Sequence, residues 1–314
     1  MPETMRAVTQ QTLGGPEVLA LREVERPEPY YGEIQVRVRA AGVNPVDPAA
    51  REIGLYIGQP PFILGWDVSG VVEKVGIGVT RFKPGDEVFG MPNFPHQAGT
   101  HAEYVTAPSR HFAPKPASLS HIEAAGLPLC GLTAWQALVD NAGLSAGQTV
   151  LIHAAAGGIG HLAVQIAKAR GARVIGTASA GKHDFVRSLG ADEVIDYRAV
   201  DFAEVVSGVD VALTTLPGDY AERSVSVIRD GGVLAQLYYS LRDAEFPEAV
   251  ARGIRTDFML VEPDLIGLQG LAALVDDGKL KVHVAETFPL EDFAKAHEAM
   301  ESGGATGKIV LTVD

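Results

Sequence analysis

The segment 149–169, TVLIHAAAGGIGHLAVQIAKA, restricts the possible folds of this chain more than any other stretch. An apolar run at 149–153 has strand length. It leads into a turn holding Gly157, Gly158 and Gly160, and an amphipathic helix is predicted over 159–170. Glycine turns sharply, and without a Cβ it lets a ligand come close to the backbone. The helix start adds N–H groups and a partial positive charge, the combination that suits a pyrophosphate. A glycine trio means little by itself. Between a strand and a helix it predicts a dinucleotide held by Ala156, Gly157, Gly158, Ile159 and Gly160. A tight turn without a ligand is the competing explanation.

After that turn, strands are predicted at 173–176, 193–195, 209–213, 232–237 and 253–260, with helices at 184–189, 202–206 and 220–227 between them. Apolar strands alternating with helices imply a doubly wound parallel sheet covered on both faces, here with six strands. The region before it has another texture. Short β-rich runs at 5–9, 34–40 (IQVRVRA), 68–75 and 86–89 are separated by Gly and Pro, the pattern of a barrel-like or sandwich-like β domain. A helix over 122–138 joins the two regions. A helix at 264–277, a strand at 282–285, a helix at 290–301 and a strand at 308–313 end the chain. With six strands already in the nucleotide sheet, this tail is assigned back to the first domain. The expected division is 1–122, 123–260 and 261–314.

The second strand bears on which dinucleotide binds. An NAD site places an Asp or Glu at its end, where the carboxylate meets the ribose 2′-hydroxyl. Residues 173–182 read RVIGTASAGK and hold no carboxylate. Ser179 offers a hydroxyl, Lys182 a charge, and Tyr197 a phenol at the end of the next strand. These groups accept a 2′-phosphate, so NADPH is the expected cofactor. A solvated lysine and a packed tyrosine would explain Lys182 and Tyr197 as well.

The balance of 26 basic against 39 acidic residues gives a formal charge of −13, with no basic run. That argues against nucleic acid or an anionic membrane as partner. The single cysteine, Cys130, cannot build a disulfide framework or a multi-cysteine zinc site. It reads as a small buried residue in the apolar run 127–132. No leader and no apolar window of about 20 residues is apparent, so a soluble cytoplasmic protein is expected.

The remaining markers come in a recognisable order: GGPEVL (14–19), AAGVNPVD (40–47), GWDVSGVVEKVG (65–76), FKPGDEVFG (82–90), HAEYV (101–105), LTAWQAL (132–138), AAAGGIG (154–160), SLGADEVIDYR (188–198) and GKIVL (307–311). Over essentially its whole length the chain resembles the zinc-independent quinone oxidoreductase (zeta-crystallin-like) branch of the medium-chain dehydrogenase/reductase superfamily. The resemblance implies an α/β fold, a Rossmann domain inserted in a GroES-like catalytic domain. Zinc members of the superfamily carry a Cys where Asn44 stands and His-Glu where Trp66-Asp67 stand. A catalytic zinc takes three protein ligands, so no metal is expected, and His96 and His101 are taken as loop histidines without a special role.

Without a metal, the acceptor must already be electron-poor, and a quinone or α,β-unsaturated carbonyl fits. The resemblance puts Asn44 and Asp47 near the nicotinamide and the reacting centre, with Tyr56 at the rim, as the catalytic set. It makes Asn44, Thr133, Thr215, Leu237, Phe258, Met259, Leu260 and Lys308 cofactor contacts. The sequence departs from the family at 214–217, where TTLP replaces a common Asp-x-x-Gly. Plainer explanations stand beside these roles: a turn at Asn44-Pro45, a helix cap at Asp47, loop packing at Tyr56, and a strand with a turn at 258–263. An enoyl-thioester or polyketide enoyl reductase is the alternative activity, and a non-catalytic NADPH-binding sensor the alternative function. The family also implies a possible homodimer through 253–260.

Overall fold

A computed structural model describes residues 2–241, 244–256 and 258–313. They form two compact units. One runs from the N-terminal region through Leu132 and adds Glu262–Asp276 and the segment from Val282 onward; the other is Thr133–Val261 with Asp277–Lys281.

The first unit contains β1 (Thr4–Gln10), β2 (Leu19–Glu25), β3 (Glu33–Val43), α1 (Val46–Ile53), β4 (Phe62–Ile63), β5 (Val68–Val75), β6 (Glu87–Gly90), β7 (Tyr104–Pro108) and β8 (Phe112–Pro114). The alternation of β3 has the expected consequence: Ile34, Val36 and Val38 are buried while Arg37 and Arg39 are not. From Ala40 to Val43 both faces are buried. The helix expected over 122–138 is divided into α2 (His121–Ala125), α3 (Pro128–Trp135) and a π-helical stretch, Gln136–Asn141. Pro128 has no N–H to continue the first helix. Ser120 and Glu123 cap α2 reciprocally.

The second unit follows with β9 (Thr149–Ile152), α4 (Gly160–Ala169), β10 (Arg173–Ala178), α5 (His183–Ser188), β11 (Glu193–Asp196), α6 (Phe202–Val205), β12 (Val209–Thr214), α7 (Tyr220–Val227), β13 (Ile228–Gln236) and α8 (Pro247–Ala251). Its strands are parallel in the order β11-β10-β9-β12-β13. Leu151, Ile175, Ala212 and Leu234 from the strands pack with Phe202 and Val225 from the helices. Each large apolar side chain so buried contributes roughly 1.5–3 kcal/mol.

The chain closes with α9 (Leu265–Asp276), β14 (Val284–Pro289), α10 (Phe293–Glu301) and β15 (Lys308–Thr312). β15 pairs antiparallel with β3, Ile309 opposite Val43, so the tail completes the first unit's larger sheet, β14-β15-β3-β5-β6-β8, with β7 also on β3. A smaller sheet runs β2-β1-β4.

Among the described residues the parallel sheet has five strands with named bounds, and the segment expected as the sixth, 253–260, runs beside β13. Val233–Arg255 and Gln236–Phe258 are parallel bridges in one register, and residue 257 lies outside the described residues. Arg255 N donates to Gly232 O (3.0 Å) and its carbonyl accepts from Leu234 N (2.7 Å), while its guanidinium donates to the Asn141 carbonyl at 2.9 Å. Gly253 turns the chain into this segment in a left-handed conformation (φ 63°).

Candidate active site

The glycine turn is held from both sides. His153 N donates to Leu213 O (3.0 Å) on β12, and Ala155 N donates to Thr177 O (2.9 Å) on β10. A Cβ on Gly160 would lie 2.2 Å from Ala154 O and 2.7 Å from Ala155 Cα, so only glycine fits there. A Cβ on Gly157 would meet the same carbonyl at 3.2 Å. No side chain caps the start of α4, whose positive end faces the turn. Behind the turn sits His153, which no pattern in the sequence singles out. Its ring contacts Thr177 Oγ1 at 3.2 Å and Ser224 Oγ at 3.0 Å, and Phe202 packs edge-on at 4.5 Å. Burial, then the charge of Arg223, pushes its pKa down to about 3, so this imidazole is a neutral clamp.

The strand registers gather the rest of the second unit's candidates. Ala178 lies opposite Asp196, so Ser179 and Tyr197 come next to each other beyond the strand ends. Thr214 lies opposite Gln236, and Leu237 N donates to Thr214 O (3.0 Å), which brings Thr215 and Leu237 together. Met259 N donates to Gln236 O (3.3 Å), adding Phe258, Met259 and Leu260. With Ala156–Gly160 these residues line the carboxyl ends of the parallel strands. The strand order reverses between β9 and β12, the place where open α/β sheets bind ligands. Lys182 is half-buried in the turn after β10, and Thr133 is buried on α3. No carboxylate ends β10. The guanidinium of Arg198 lies 5.5 Å from the centre of the Tyr197 ring. This second cation was missed, although the Tyr-Arg pair was visible in the sequence.

The first unit holds a separate, fully buried polar cluster. Asn44 follows β3, Asp47 opens α1, Asp67 precedes β5, Cys130 lies on α3 and Lys308 on β15; each is buried. Asn44 Nδ2 donates to Asp67 Oδ2 (2.8 Å), and Leu129 N donates to Asp67 Oδ1 (2.6 Å). The Lys308 ammonium donates to Asn44 Oδ1, Asp67 Oδ2 (3.3 Å), Val43 O (3.3 Å) and Cys130 Sγ (3.4 Å). Gly42 makes the room, because a Cβ there would stand 2.7 Å from Asp67 Oδ2. Asp47 Oδ2 accepts from Asn44 N (2.7 Å), while its Oδ1 is buried without a hydrogen-bond partner. Burial above all, then the Asp67 charge, pushes the Asp47 carboxyl up to about 7 against the pull of Lys308. Burial works against the Lys308 ammonium, but Cys130 and Asp67 hold it above the ordinary lysine range.

So Asn44, Asp47 and Lys308 share one cluster, and Tyr56 belongs to another group. Its ring packs edge-on against Phe94 at 5.6 Å, and Phe94 packs on Trp66 at 5.5 Å. Tyr56 itself has a positive φ of 67° in the loop after α1. His101 is not the unremarkable loop histidine expected. It is wholly buried, burial lowers its pKa to about 4, and its ring lies 6.0 Å from that of His297. Arg51, buried on α1, contacts His297 Nδ1 at 3.2 Å and pairs with Glu301 at 2.6 Å.

Comparison with known proteins now bears on the site. Residues 31–117 match the alcohol dehydrogenase GroES-like domain and residues 189–311 a zinc-binding dehydrogenase domain. The human quinone oxidoreductase is 33% identical, over 98% of this chain and 97% of its own length. The chain belongs to the quinone oxidoreductase branch of the medium-chain dehydrogenase/reductase superfamily. The solved quinone oxidoreductase from Coxiella burnetii superposes with a TM-score of 0.92 at 34% identity, over 99% of this chain and 100% of that one. A mycobacterial relative complexed with NADPH gives a TM-score of 0.87 at 30% identity, over 98% and 100% of the two chains. This member of the superfamily is therefore an oxidoreductase, and a nicotinamide dinucleotide fits the glycine cradle. Zinc does not fit the buried cluster. Asp67 and Cys130 carry the zinc-type donor atoms that face Lys308 Nζ, and the ammonium already holds the point on which they converge. Among the described residues no helix is long and apolar enough to cross a membrane.

Proposed function

We propose that this chain is an NADPH-dependent reductase of quinones and α,β-unsaturated carbonyl compounds that works without a metal ion. The observation that carries this reading is the donor set around Asn44, in which a lysine ammonium sits among the acceptor atoms. Such a site has no Lewis acid to polarise an ordinary ketone, so it suits acceptors whose conjugation already draws electrons. The nicotinamide, when bound, supplies the hydride. The chain binds and orients the reactants, excludes water and manages the proton. Asn44, locked by Asp67 and Lys308, is the candidate to meet the reacting oxygen or hold the nicotinamide. Asp47, pushed up to about 7, keeps a share of its protons at neutral pH. Tyr56 offers a phenol at the loop beyond α1.

The NADPH preference draws support from the β10 end, where Ser179, Lys182, Tyr197 and Arg198 replace the carboxylate of an NAD site. A homodimer through 253–260, the segment that runs beside β13, belongs to the same reading, and a monomeric mass by light scattering would count against it.

The test is the initial rate of NADPH and NADH oxidation by chelator-treated protein, with 1,4-benzoquinone, a simple enone and an enoyl thioester as acceptors. NADPH-selective turnover of the first two is expected. A preference for the thioester moves the reading to an enoyl reductase, and NADPH binding without any turnover to a sensor. Lys182→Ala and Arg198→Ala should each raise KM for NADPH about tenfold, the loss of one charge-assisted contact, and leave NADH unchanged. Equal effects on both cofactors would refute the 2′-phosphate assignment.

A further inference from the structure

Lys308 is a fully buried cation of the first unit, its side chain 2% exposed and its partner Asp67 0%. A lysine is rarely buried so completely unless its charge has a task and its three donors have partners. Here four acceptors face the ammonium: Val43 at the end of β3, Asn44 just after it, Asp67 just before β5, and Cys130 on α3. Those acceptors are tied to one another. The Cys130 thiol, kept protonated by burial, donates to Asn44 Oδ1 (3.4 Å), and Asn44 Nδ2 donates to Asp67 Oδ2 (2.8 Å).

This arrangement decides something about Asn44. An amide has an acceptor end and a donor end. With its oxygen toward Lys308 and Cys130 and its nitrogen toward Asp67, every contact joins a donor to an acceptor. Turned over, the NH2 would meet the ammonium and the oxygen would meet the carboxylate. The ammonium and carboxylate together therefore allow one orientation of the amide. Gly42 keeps the Asp67 carboxylate within reach, since a Cβ there would displace it.

We propose that Lys308 is a positioning residue, a cation built into the chain, and that it fixes the amide of Asn44 for the reaction. The inference deepens the reading of Asn44 given above and rests on it for its kinetic part.

Three variants test it. Lys308→Met removes the charge and leaves Asp67 buried and unpaired, so both stability and kcat should fall. Lys308→Met/Asp67→Asn removes both charges. It should recover the wild-type unfolding midpoint, while kcat stays down about a hundredfold, the loss of one oriented donor, with KM for NADPH within about twofold of wild type. A double variant with wild-type kcat would reduce Lys308 to a counter-ion and overturn the proposal. Lys308→Ala opens the cation's place among Asp67, Cys130 and Asn44. Titrated with cadmium, it should bind one equivalent with a thiolate charge-transfer band, which the wild type should lack. Cadmium uptake at Cys130 in the wild type, or none in a folded Lys308→Ala variant, would also overturn it. The cadmium measurement needs no turnover, so failure of the proposed activity and failure of this inference are distinguishable.

Discussion

Asp47→Asn isolates the effect of a single buried carboxyl. In the fold this group is pushed from 3.8 up to about 7, chiefly by burial, so it is harder to ionise than in the unfolded chain. Between those values the folded chain keeps a proton that the unfolded chain gives up, and stability falls as pH rises. The penalty is absent below 3.8 and complete above 7, where it reaches about 4 kcal/mol at 1.36 kcal/mol per pH unit. Asparagine retains an oxygen for the Asn44 N–H and has no such proton to lose. The stability difference between variant and wild type should grow by about 2–3 kcal/mol in the variant's favour from about pH 5 to about pH 8. His101 and His297, depressed to about 4 and about 2 by burial, act in the opposite sense and weaken the fold as pH drops below 6.5. Both proteins share them, so they cancel in the difference. Urea unfolding at the two pH values, followed by Trp66 fluorescence in a Trp135→Phe background, reports on the first unit. A difference that does not change with pH would refute the argument.

Other perturbations follow from the same geometry. Gly160→Ala forces a Cβ to within 2.2 Å of the Ala154 carbonyl, so the turn must shift; NADPH affinity by fluorescence titration should fall at least about tenfold, a loss of about 1.4 kcal/mol. Arg51→Met strands Glu301 and leaves the Gly14 carbonyl and His297 Nδ1 unpaired. Stability should drop by about 3 kcal/mol, and a change below about 1 kcal/mol would contradict the pairing. His153→Leu removes one partner each of the Thr177 and Ser224 hydroxyls, which keep Ala154 N and Tyr220 O, with an expected loss of about 1 kcal/mol in thermal or urea unfolding.

Local features made the second unit legible. Its apolar strands repeat around the glycine turn, so Ser179 and Tyr197 could be placed at the strand ends from the pattern, while Thr215 and Leu237 were named only through the resemblance. The edge segment 253–260 was expected as a strand, and Arg255 and Phe258 bridge β13 in one parallel register. The first unit's cluster was legible only in part. Asn44 and Asp47 stood out by resemblance, yet Lys308 meets Asn44 across 264 residues of chain and Asp67 across 241. No periodicity reports such a contact, and Lys308 was named only through the resemblance of GKIVL, as a cofactor contact. The burial of His101 was hidden for the same reason, since its neighbour His297 lies on α10.

The order in which the chain is synthesised gives the first unit's split composition a further meaning. The second unit lies almost entirely in one stretch, Thr133–Val261, and can complete its parallel sheet while the ribosome is still working. β3 must instead wait for β15, because Val43 pairs with Ile309. At about 5–20 residues per second, that leaves the Ala40–Val43 end of β3 without its β15 partner for some tens of seconds. The same delay applies to charge. Asp67 and Asn44 emerge long before the lysine that balances them, so the apolar interior around them cannot close until the last strand arrives. In a nascent chain of this design, Lys308 is both the final piece of the sheet and the signal that the polar centre is complete.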